Sequence, residues 1–393
     1  MNAARKNVAL LATCQALLFA NNSTVIAING LAGYALTDNK ALATLPVTAW
    51  VCGGALITLP VSLLMKRFGR RAGFYLGAGM GALGALICAL AVSMGNFWLL
   101  CLGTLIFGSY NGVAQYYRFA AADASPPNFK STAISLVLAG GLVGGLIGPE
   151  ISKLTVDALQ AKYMGAYLSL LVYLALVMGV LSFLSIPRPS EAEQKGVGRP
   201  MREIAKQPKF IVAVLAGAGG YAVMNFLMVA TPLAMGFCGH PYAAAALVIQ
   251  WHIIGMFAPS FFTGGLIKRF GVLNVLLVGI AILYVCVGIA LSGLTVAHFW
   301  FALMLLGVGW NFLYIGGTTL LTETYRPEER AKVQGINDMT IFATLVLTSL
   351  FSGALLDGTG WHNLNFFALP IISAMAVGVV WLIMHRRSRP AAA

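Results

Sequence analysis

Charged residues are scarce in this chain of 393 residues: only 9% are Asp, Glu, Lys or Arg, whereas 59% are hydrophobic. A soluble domain usually carries about 25% charged residues, so this chain has too few of them to cover a water-facing surface. The sequence also lacks a nucleophilic triad and a phosphate-binding glycine loop after a strand. We therefore expect an integral membrane protein that is not an enzyme.

In place of charge, the chain has apolar runs of about twenty residues, the length at which a helix crosses the hydrocarbon core of a bilayer. These runs predict an all-α membrane protein with twelve spans, numbered here in chain order. They lie near residues 8–36, 43–65, 73–95, 97–118, 131–156, 163–186, 210–235, 243–267, 273–295, 297–321, 332–356 and 363–384. The first run is too long for the apolar part of a signal peptide, so we expect it to be retained as span 1.

The net charge of +13 does not indicate nucleic-acid binding, because the basic residues recur in alternate loops. These loops hold Arg5, Lys6, Lys66, Arg67, Arg70, Arg71, Lys130, the segment from Lys195 to Lys209, Lys268, Arg269, Arg330, Lys332, Arg386, Arg387 and Arg389. The intervening loops hold only Lys40, Lys153 and Lys162. Under the positive-inside rule, both termini are cytoplasmic in a bacterial inner membrane. The expected surroundings are lipid, with no nucleic-acid partner.

A repeat divides the chain into two halves. The segment Leu64–Gly69 (Leu-Met-Lys-Arg-Phe-Gly) recurs 202 residues later as Leu266–Gly271 (Leu-Ile-Lys-Arg-Phe-Gly), and Phe97-Trp98 recurs at the same offset as Phe299-Trp300. The interruption between the halves is rich in proline and charge. We therefore predict a six-span half over 1–186, a cytoplasmic linker over 187–209 and a second six-span half over 210–393.

With these features the sequence resembles the major facilitator superfamily over essentially its whole length. The resemblance implies two six-helix halves with a substrate site near the membrane midplane. The family signature after span 2 has an acidic residue where this chain has Lys66, and Lys268 stands there in the second copy. A gating salt bridge built from that carboxylate is therefore not expected.

Small residues also recur in span 5, where Gly144 and Gly148 lie four residues apart. Such spacing lets helices approach closely in lipid, and we expect these glycines to pack at the interface of the halves. The alternative is a coupling motif of the kind seen in antiporters.

Ionisable residues inside a membrane are the usual candidates for function, and here they are few. Arg118, Asp123, Glu323 and Asp338 lie at the inner ends of spans, where we expect structural or gating ion pairs. No carboxylate or basic residue lies at the midplane to suit a charged organic substrate.

Sulfur and imidazole groups are paired on spans 7 and 8. Met224 and Met228 share one helix face because they are four residues apart, and so do His252 and Met256. On consecutive antiparallel helices the two pairs fall at similar depths, at or just outside the midplane. Thioethers select Cu(I) and imidazole suits copper, so these four residues are candidate metal ligands. The competing interpretation is ordinary core packing.

The same motifs resemble those of the CcoA-like copper importers within the superfamily. That resemblance implies copper uptake into the cytoplasm by alternating access, in support of haem–copper oxidase assembly. Copper would be the cargo, with no cofactor retained. It also implies a role in copper capture or redox chemistry for cysteines at two positions, which Cys52 and Cys238 match. For Cys52, a packing role is an equally good alternative.

Two other functions stay open at this point. One is transport of an organic solute such as riboflavin, with Tyr116, Tyr117, Trp251 and Trp310 as stacking candidates. The other is a membrane sensor without transport, which lacks support because the chain has no soluble output domain. The oxidation state of copper, the driving force and the oligomeric state are not set by the sequence.

Overall fold

The computed structural model describes residues 3–39, 42–187, 189–196 and 198–387. Lys40 and Arg389, which entered the charge argument, lie outside the described residues. The helices are α1 (Ala3–Leu36), α2 (Leu45–Phe68), α3 (Arg70–Ser93), α4 (Phe97–Ala114), α5 (Tyr117–Asp123), α6 (Lys130–Thr155), α7 (Met164–Ser182), α8 (Glu191–Lys195), α9 (Met201–Ile204), α10 (Pro208–Phe237), α11 (Tyr242–Phe257), α12 (Ser260–Phe270), α13 (Val272–Ser292), α14 (Val296–Leu321) and α15 (Arg330–Arg387). No strand occurs in these ranges, which confirms the all-α prediction.

Eleven segments of the described chain are long and apolar enough to cross a membrane. The last element, α15, contains both predicted spans 11 and 12, joined at Gly360, whose φ of 77° and ψ of 172° are not helical. Counting its two arms separately gives the predicted twelve. Span 4 is divided between α4 and α5. Span 8 is divided between α11 and α12, where Pro259 cannot continue the hydrogen-bond ladder.

The repeated segment of the sequence is also a repeated turn. Gly69, with φ 88° and ψ 164°, is the only residue between α2 and α3, and Gly271, with φ 84° and ψ 151°, is the only residue between α12 and α13. A side chain would be strained in this backbone conformation, which is essentially restricted to glycine. The sequence match between the halves therefore has a structural counterpart.

The first compact unit consists of Met1–Pro126, Leu136–Val197 and Pro327–Phe342. Within it α4 packs along α2 and α3, while α7 packs on α3 and α1. Gly144 and Gly148 lie against the backbone of α1, where an added Cβ would collide with the carbonyl oxygens of Ala16 and Ala20. Close packing was therefore correctly predicted, but its location was wrong: the neighbour is α1, in the same predicted half and in the same unit.

The second compact unit consists of Pro127–Ser135, Gly198–Arg326 and Ala343–Ala393. Its central helix is α14, because α10, α11 and α13 all pack extensively on it. Glycine again permits the closest approach: a Cβ on Gly307 of α14 would lie 2.5 Å from the carbonyl oxygen of His252 on α11. The predicted division of the chain at 187–209, and its orientation in the membrane, stay predictions.

Candidate functional site

The four predicted metal ligands lie on α10 and α11 of the second unit. Met224, His252 and Met256 are buried and Met228 is half-buried. His252 Nδ1 lies 2.8 Å from the carbonyl oxygen of Leu303, which can only accept, so Nδ1 donates. The other ring nitrogen, Nε2, has no hydrogen-bond partner in the part of the chain that the structure describes.

The two helices that carry these residues contact a common neighbour far more than they contact each other. Both α10 and α11 pack mainly against α14, and their mutual contact is slight. The backbone of Met256 is fixed by α14, since Asn311 Nδ2 donates to its carbonyl oxygen at 2.6 Å. The adjacency of α10 and α11 in the sequence is therefore weak evidence that their four candidate ligands form one site. Across the described ranges, no three His, Cys, Asp or Glu side chains are grouped closely enough to hold a metal ion; the predicted set of three thioethers and one imidazole is not of that type.

The two cysteines assigned to capture or redox chemistry lie in different units. Cys52 is half-buried on α2, and Cys238 is exposed at the end of α10. Beside Cys238, the ring of His240 is occupied, with Nε2 2.7 Å from the carbonyl oxygen of Leu294. The structure thus places one thiol where a solute can reach it, ten residues along the chain from the nearest predicted ligand, Met228.

An aromatic cluster lies at the middle of α14 in the second unit; we call Tyr221, Phe257, Trp310 and Tyr314 the ring cluster. Trp310 and Tyr314 are stacked, with ring centroids 5.0 Å apart and planes 22° apart. Tyr221 meets Trp310 edge-on at 5.1 Å, and Phe257 does so at 5.9 Å. Trp310 is buried, yet its indole Nε1 has no hydrogen-bond partner among the described residues.

A buried donor without a partner is costly, so the indole N–H of Trp310 suits a ligand or water that can accept a hydrogen bond from it. Aromatic rings and a directed N–H group suit a planar heteroaromatic molecule; Trp310 and Tyr314 are 1% and 2% exposed here, so Tyr221 is the ring of the cluster that a solute can reach. Tyr221 is only half-buried, so the ring cluster is not sealed.

The other predicted stacking residues lie outside the ring cluster. The hydroxyl of Tyr116 donates to the carbonyl oxygen of Thr58 at 2.8 Å, and the ring of Tyr117 packs edge-on against Phe74 at 4.7 Å. Trp251 packs against Trp300 at 5.1 Å. Of the four candidates named from the sequence, Trp310 is the one whose buried donor has no partner among the described residues.

The first unit carries a different polar site, on α1 and α4. Asn22 Nδ2 donates to Asn111 Oδ1 at 2.9 Å, and Gln115 Nε2 approaches the same oxygen at 3.4 Å. Asn29 Oδ1 accepts from the hydroxyl of Tyr167 at 2.8 Å. Sequence reasoning missed this site because it considered ionisable, sulfur-containing and aromatic side chains but not amides. Its signal was nevertheless present, since Gln15, Asn22 and Asn29 recur at seven-residue spacing along one face of the first span.

The span ends that the sequence predicts to be cytoplasmic form ion pairs, as expected. In the first unit Arg118 Nη2 lies 2.5 Å from Asp338 Oδ1, and Arg70 Nη2 lies 2.8 Å from Asp123 Oδ2. In the second unit Glu323 pairs with Lys209 at 2.9 Å. Lys66 stands at the acidic position of the family signature, and its amine donates to the carbonyl oxygen of Gly196 at 2.7 Å. This chain therefore has no carboxylate at position 66, and the carboxylate paired with Arg70 of the signature comes from Asp123 at the end of span 4.

Comparison with known proteins identifies the architecture. A sequence model of the Major Facilitator Superfamily matches residues 11–287 and 230–393. The chain belongs to the major facilitator superfamily. The chain is 43% identical, over all of its length and 98% of the relative's, to the riboflavin transporter RfnT of Brucella anthropi. It is 27% identical, over 90% of its length and 86% of the relative's, to the MFS-type transporter YdeG of Bacillus subtilis.

Solved structures of the superfamily share the fold. The outward conformation of the transporter FucP matches 95% of this chain and 98% of its own, with a TM-score of 0.77 and 18% identity. A bacterial homologue of the iron transporter ferroportin, in its outward-facing state, matches 95% of this chain and 98% of its own at a TM-score of 0.72 and 13% identity. At such low identity these likenesses show the major facilitator fold alone.

Copper import, the function first expected from the motifs on spans 7 and 8, was the wrong prediction. A relative that is 43% identical over the full length is a riboflavin transporter, which favours the organic-solute alternative. Physically, methionine four residues apart on a buried helix is also common packing, and both helices bury their faces against α14. The assignment of Met224, Met228, His252 and Met256 as ligands stays an untested prediction.

Proposed function

We propose that the chain carries riboflavin, or a molecule with the same isoalloxazine ring, across a bacterial inner membrane. The observation that carries this proposal is the 43% identity to RfnT over all of the chain. Both termini would be cytoplasmic, according to the distribution of basic residues. Transport would follow the alternating access of the superfamily and would leave the flavin chemically unchanged.

The ring cluster supports an aromatic cargo. Isoalloxazine is a flat system of three fused rings, and the half-buried ring of Tyr221 lies edge-on to the stacked, buried pair of Trp310 and Tyr314 near the middle of a spanning helix. The unpaired indole N–H of Trp310 matches the carbonyl oxygens and ring nitrogens of isoalloxazine, which accept hydrogen bonds. A copper ion would use neither feature.

The sequence predicts no charged residue at the midplane of the spans, which also fits this cargo. Riboflavin is neutral near pH 7, so it needs no buried countercharge, and the ion pairs described above lie at the inner ends of the spans. Burying a lone charge in a membrane is expensive, which makes a neutral solute the simpler cargo for these helices.

The test is uptake of labelled riboflavin by a bacterial strain that can neither synthesise riboflavin nor import it by itself. Cells that express the chain should accumulate riboflavin and grow on low concentrations of it, while their copper content should equal that of empty-vector cells. Expression of the protein in the membrane must be verified in each case. No riboflavin uptake from well-expressed protein would refute the proposal.

The ring cluster is tested by two variants and a control. Trp310→Leu should reduce riboflavin uptake at least tenfold, because it removes both the ring and the donor. Trp310→Phe, which keeps a ring but no donor, should lie between that variant and wild type. Trp98 is 66% exposed on the outside of α4, so Trp98→Leu should transport normally. Equal uptake by all three variants would remove the ring cluster from the proposal.

A further inference from the structure

We propose that a groove on the surface of the second unit binds one anionic glycerophospholipid, with an acyl chain in the groove and the phosphate group at Arg269. The inference is independent of the cargo, because the groove opens on exposed apolar side chains of the spans and contains none of the candidate site residues. It rests on a cavity, on basic residues without counter-charges, and on a difference between the two copies of the repeated turn.

The groove lies between the end of α12 and the first two turns of α13, with one residue of α14 behind them, all within the second unit. Its volume is about 370 Å³, which falls within the range of about 300–1,000 Å³ for small-molecule sites. Its lining is apolar except for one amide and consists of Leu266, Phe270, Asn274, Val275, Val278 and Phe312. Such a concave surface gives a hydrocarbon chain van der Waals contacts on more than one side.

The groove results from the way in which α13 is packed. This helix packs extensively on α14 but only slightly on α12, although Gly271 is the only residue between α12 and α13. Gly279 brings α13 close to α14, since an added Cβ would lie 3.0 Å from the Cβ atom of Phe312. The side chain of Phe312 is buried and forms the back of the gap between α12 and α13. The gap is thus set by the packing of the helices, not by the rotamer of one side chain.

Positive charge without a counter-charge lies at the end of the groove nearest the turn. The guanidinium of Arg269 lies 5.1 Å from the centroid of the Phe270 ring, which lines the groove. Lys268 and Arg269 are exposed, and neither forms an ion pair with a described residue. The chain has no Asp or Glu between Glu203 and Glu323, so the neighbouring sequence offers no carboxylate. A counter-charge is therefore left to the surroundings of the protein.

An anionic phospholipid matches both features of the groove. Arginine binds phosphate oxygens through two parallel N–H groups, and in a phospholipid the acyl chains are attached to the same glycerol as the phosphate. The basic residues predict that this turn faces the cytoplasm, where the leaflet is negatively charged and basic pockets between helices bind anionic head groups. A neutral lipid would leave the charge of Arg269 unused, and a soluble anion would leave the groove unused.

The first copy of the turn uses its basic residues within the protein. The amine of Lys66 donates to a backbone carbonyl oxygen, and Arg70 is paired with Asp123. In the second copy, Lys268 stands in place of Lys66 without a hydrogen bond to a described residue, and Val272 stands in place of Arg70. The same residues, Lys-Arg-Phe-Gly, thus serve protein contacts in one copy and are available to the membrane in the other.

The experiment measures lipid binding to the purified full chain in detergent by native mass spectrometry. Dioleoyl phosphatidylglycerol is compared with dioleoyl phosphatidylcholine, which has the same chains and a phosphate but no net charge. A basic residue beside anionic lipid contributes roughly a factor of five in affinity, so wild type should bind the first phosphatidylglycerol at least fivefold more tightly. Arg269→Gln should bring that ratio close to one. Arg67→Gln is the matched control and should keep the ratio, because Arg67 is also exposed, with its guanidinium 5.2 Å from the centroid of a phenylalanine ring.

The groove itself is tested by filling it. Val278→Trp should weaken binding of both lipids several-fold, because the indole would occupy the space of the acyl chain. Val285→Trp is the control: Val285 lies seven residues further along α13, outside the groove, and is 54% exposed compared with 50% for Val278. It should bind both lipids like wild type. Thermal denaturation verifies that each variant is folded.

Equal affinity of wild type for the two lipids would overturn the inference, and so would equal ratios in Arg269→Gln and Arg67→Gln. Unchanged lipid binding by Val278→Trp would also overturn it, because the acyl chain would then lie elsewhere. Displacement of phosphatidylglycerol by inorganic phosphate would identify a site for a soluble anion instead. A dimer that Val278→Trp dissociates would identify the groove as a contact between two copies of the chain, and this result too would overturn the lipid site.

Discussion

The ion pair between Arg118 and Asp338 should be among the most sensitive positions for stability. Its side chains are 1% and 2% exposed, and the pair joins α5 to α15 within the first unit. Arg118 also donates to the carbonyl oxygen of Gln115, and its guanidinium lies 4.3 Å from the centroid of the Phe119 ring. Asp338 additionally accepts from Asn337 Nδ2 at 2.8 Å.

The perturbation is Arg118→Leu, which leaves the carboxylate of Asp338 buried without its main partner. Two unit charges about 4 Å apart attract by about 4 kcal/mol at an effective dielectric constant of 20. Removal of one member of a buried pair typically costs about 3–5 kcal/mol, since the remaining charge stays desolvated. We therefore expect Arg118→Leu to lower the free energy of unfolding by about that amount.

The double variant Arg118→Leu/Asp338→Leu removes both charges and should recover much of the loss, because apolar pairs often replace buried ion pairs at little cost. Lys153→Leu is the matched control: Lys153 pairs with Glu150 at 2.7 Å, but both side chains are about two-thirds exposed. An exposed pair contributes less than about 1 kcal/mol. The assay is reversible unfolding in mixed micelles with increasing denaturing detergent, analysed as a double-mutant cycle.

The reasoning would be refuted if the losses for Arg118→Leu and Asp338→Leu simply added in the double variant. It would also be refuted if Arg118→Leu cost no more than Lys153→Leu. Either result would mean that water or another group stabilises each charge independently of the pair.

Three further outcomes are expected. Gly144→Leu should prevent close packing of α6 on α1 and sharply reduce the yield of folded protein. The control Gly79→Ala, in open space on α3, should be neutral or stabilising by up to about 1 kcal/mol. Both variants are measured by size-exclusion chromatography and thermal denaturation, and equal yields would contradict the packing argument. Gly69→Ala and Gly271→Ala should each cost about 1–3 kcal/mol from backbone strain, compared with Gly79→Ala in the unfolding assay, and a neutral result at either turn would contradict the strain. Replacing all four predicted metal ligands by leucine should leave cellular copper content unchanged, as measured by mass spectrometry of whole cells, and a drop in copper would restore the motif-based interpretation.

The sequence was sufficient for the fold because the fold is specified by strong, additive signals. Twelve apolar runs and a repeat in register predicted the helices, and the turn at Gly69 and Gly271 confirms the repeat in the backbone. The helix breaks within spans 4 and 8, by contrast, depend on local packing. The glycine row on α6 was assigned to the wrong neighbour because small-residue spacing reveals that a helix is approached closely, but not by which helix.

The candidate site was predicted less well, for a physical reason. Helical spacing determines which residues of one helix share a face, as for Met224 and Met228. Which face the neighbouring helix turns toward them depends on its packing against a third helix, here α14. Trp310 was named from residue type alone, and the stacked partner and unused donor that distinguish it required coordinates. The amides of α1 were readable as a heptad pattern, but only coordinates reveal which of their atoms are already used.

The single-residue turns at Gly69 and Gly271 have a consequence for mapping the protein in membranes. Lys66 and Arg67 precede the first turn, and Lys268 and Arg269 the second, but all four belong to helices that continue to within one residue of the next helix. A protease needs several residues of extended chain to cut, and such a segment can form here only by local unfolding. Trypsin should therefore spare these basic sites even when it reaches that side of the membrane. Their resistance would show how tightly each helical hairpin is held, not on which side it lies.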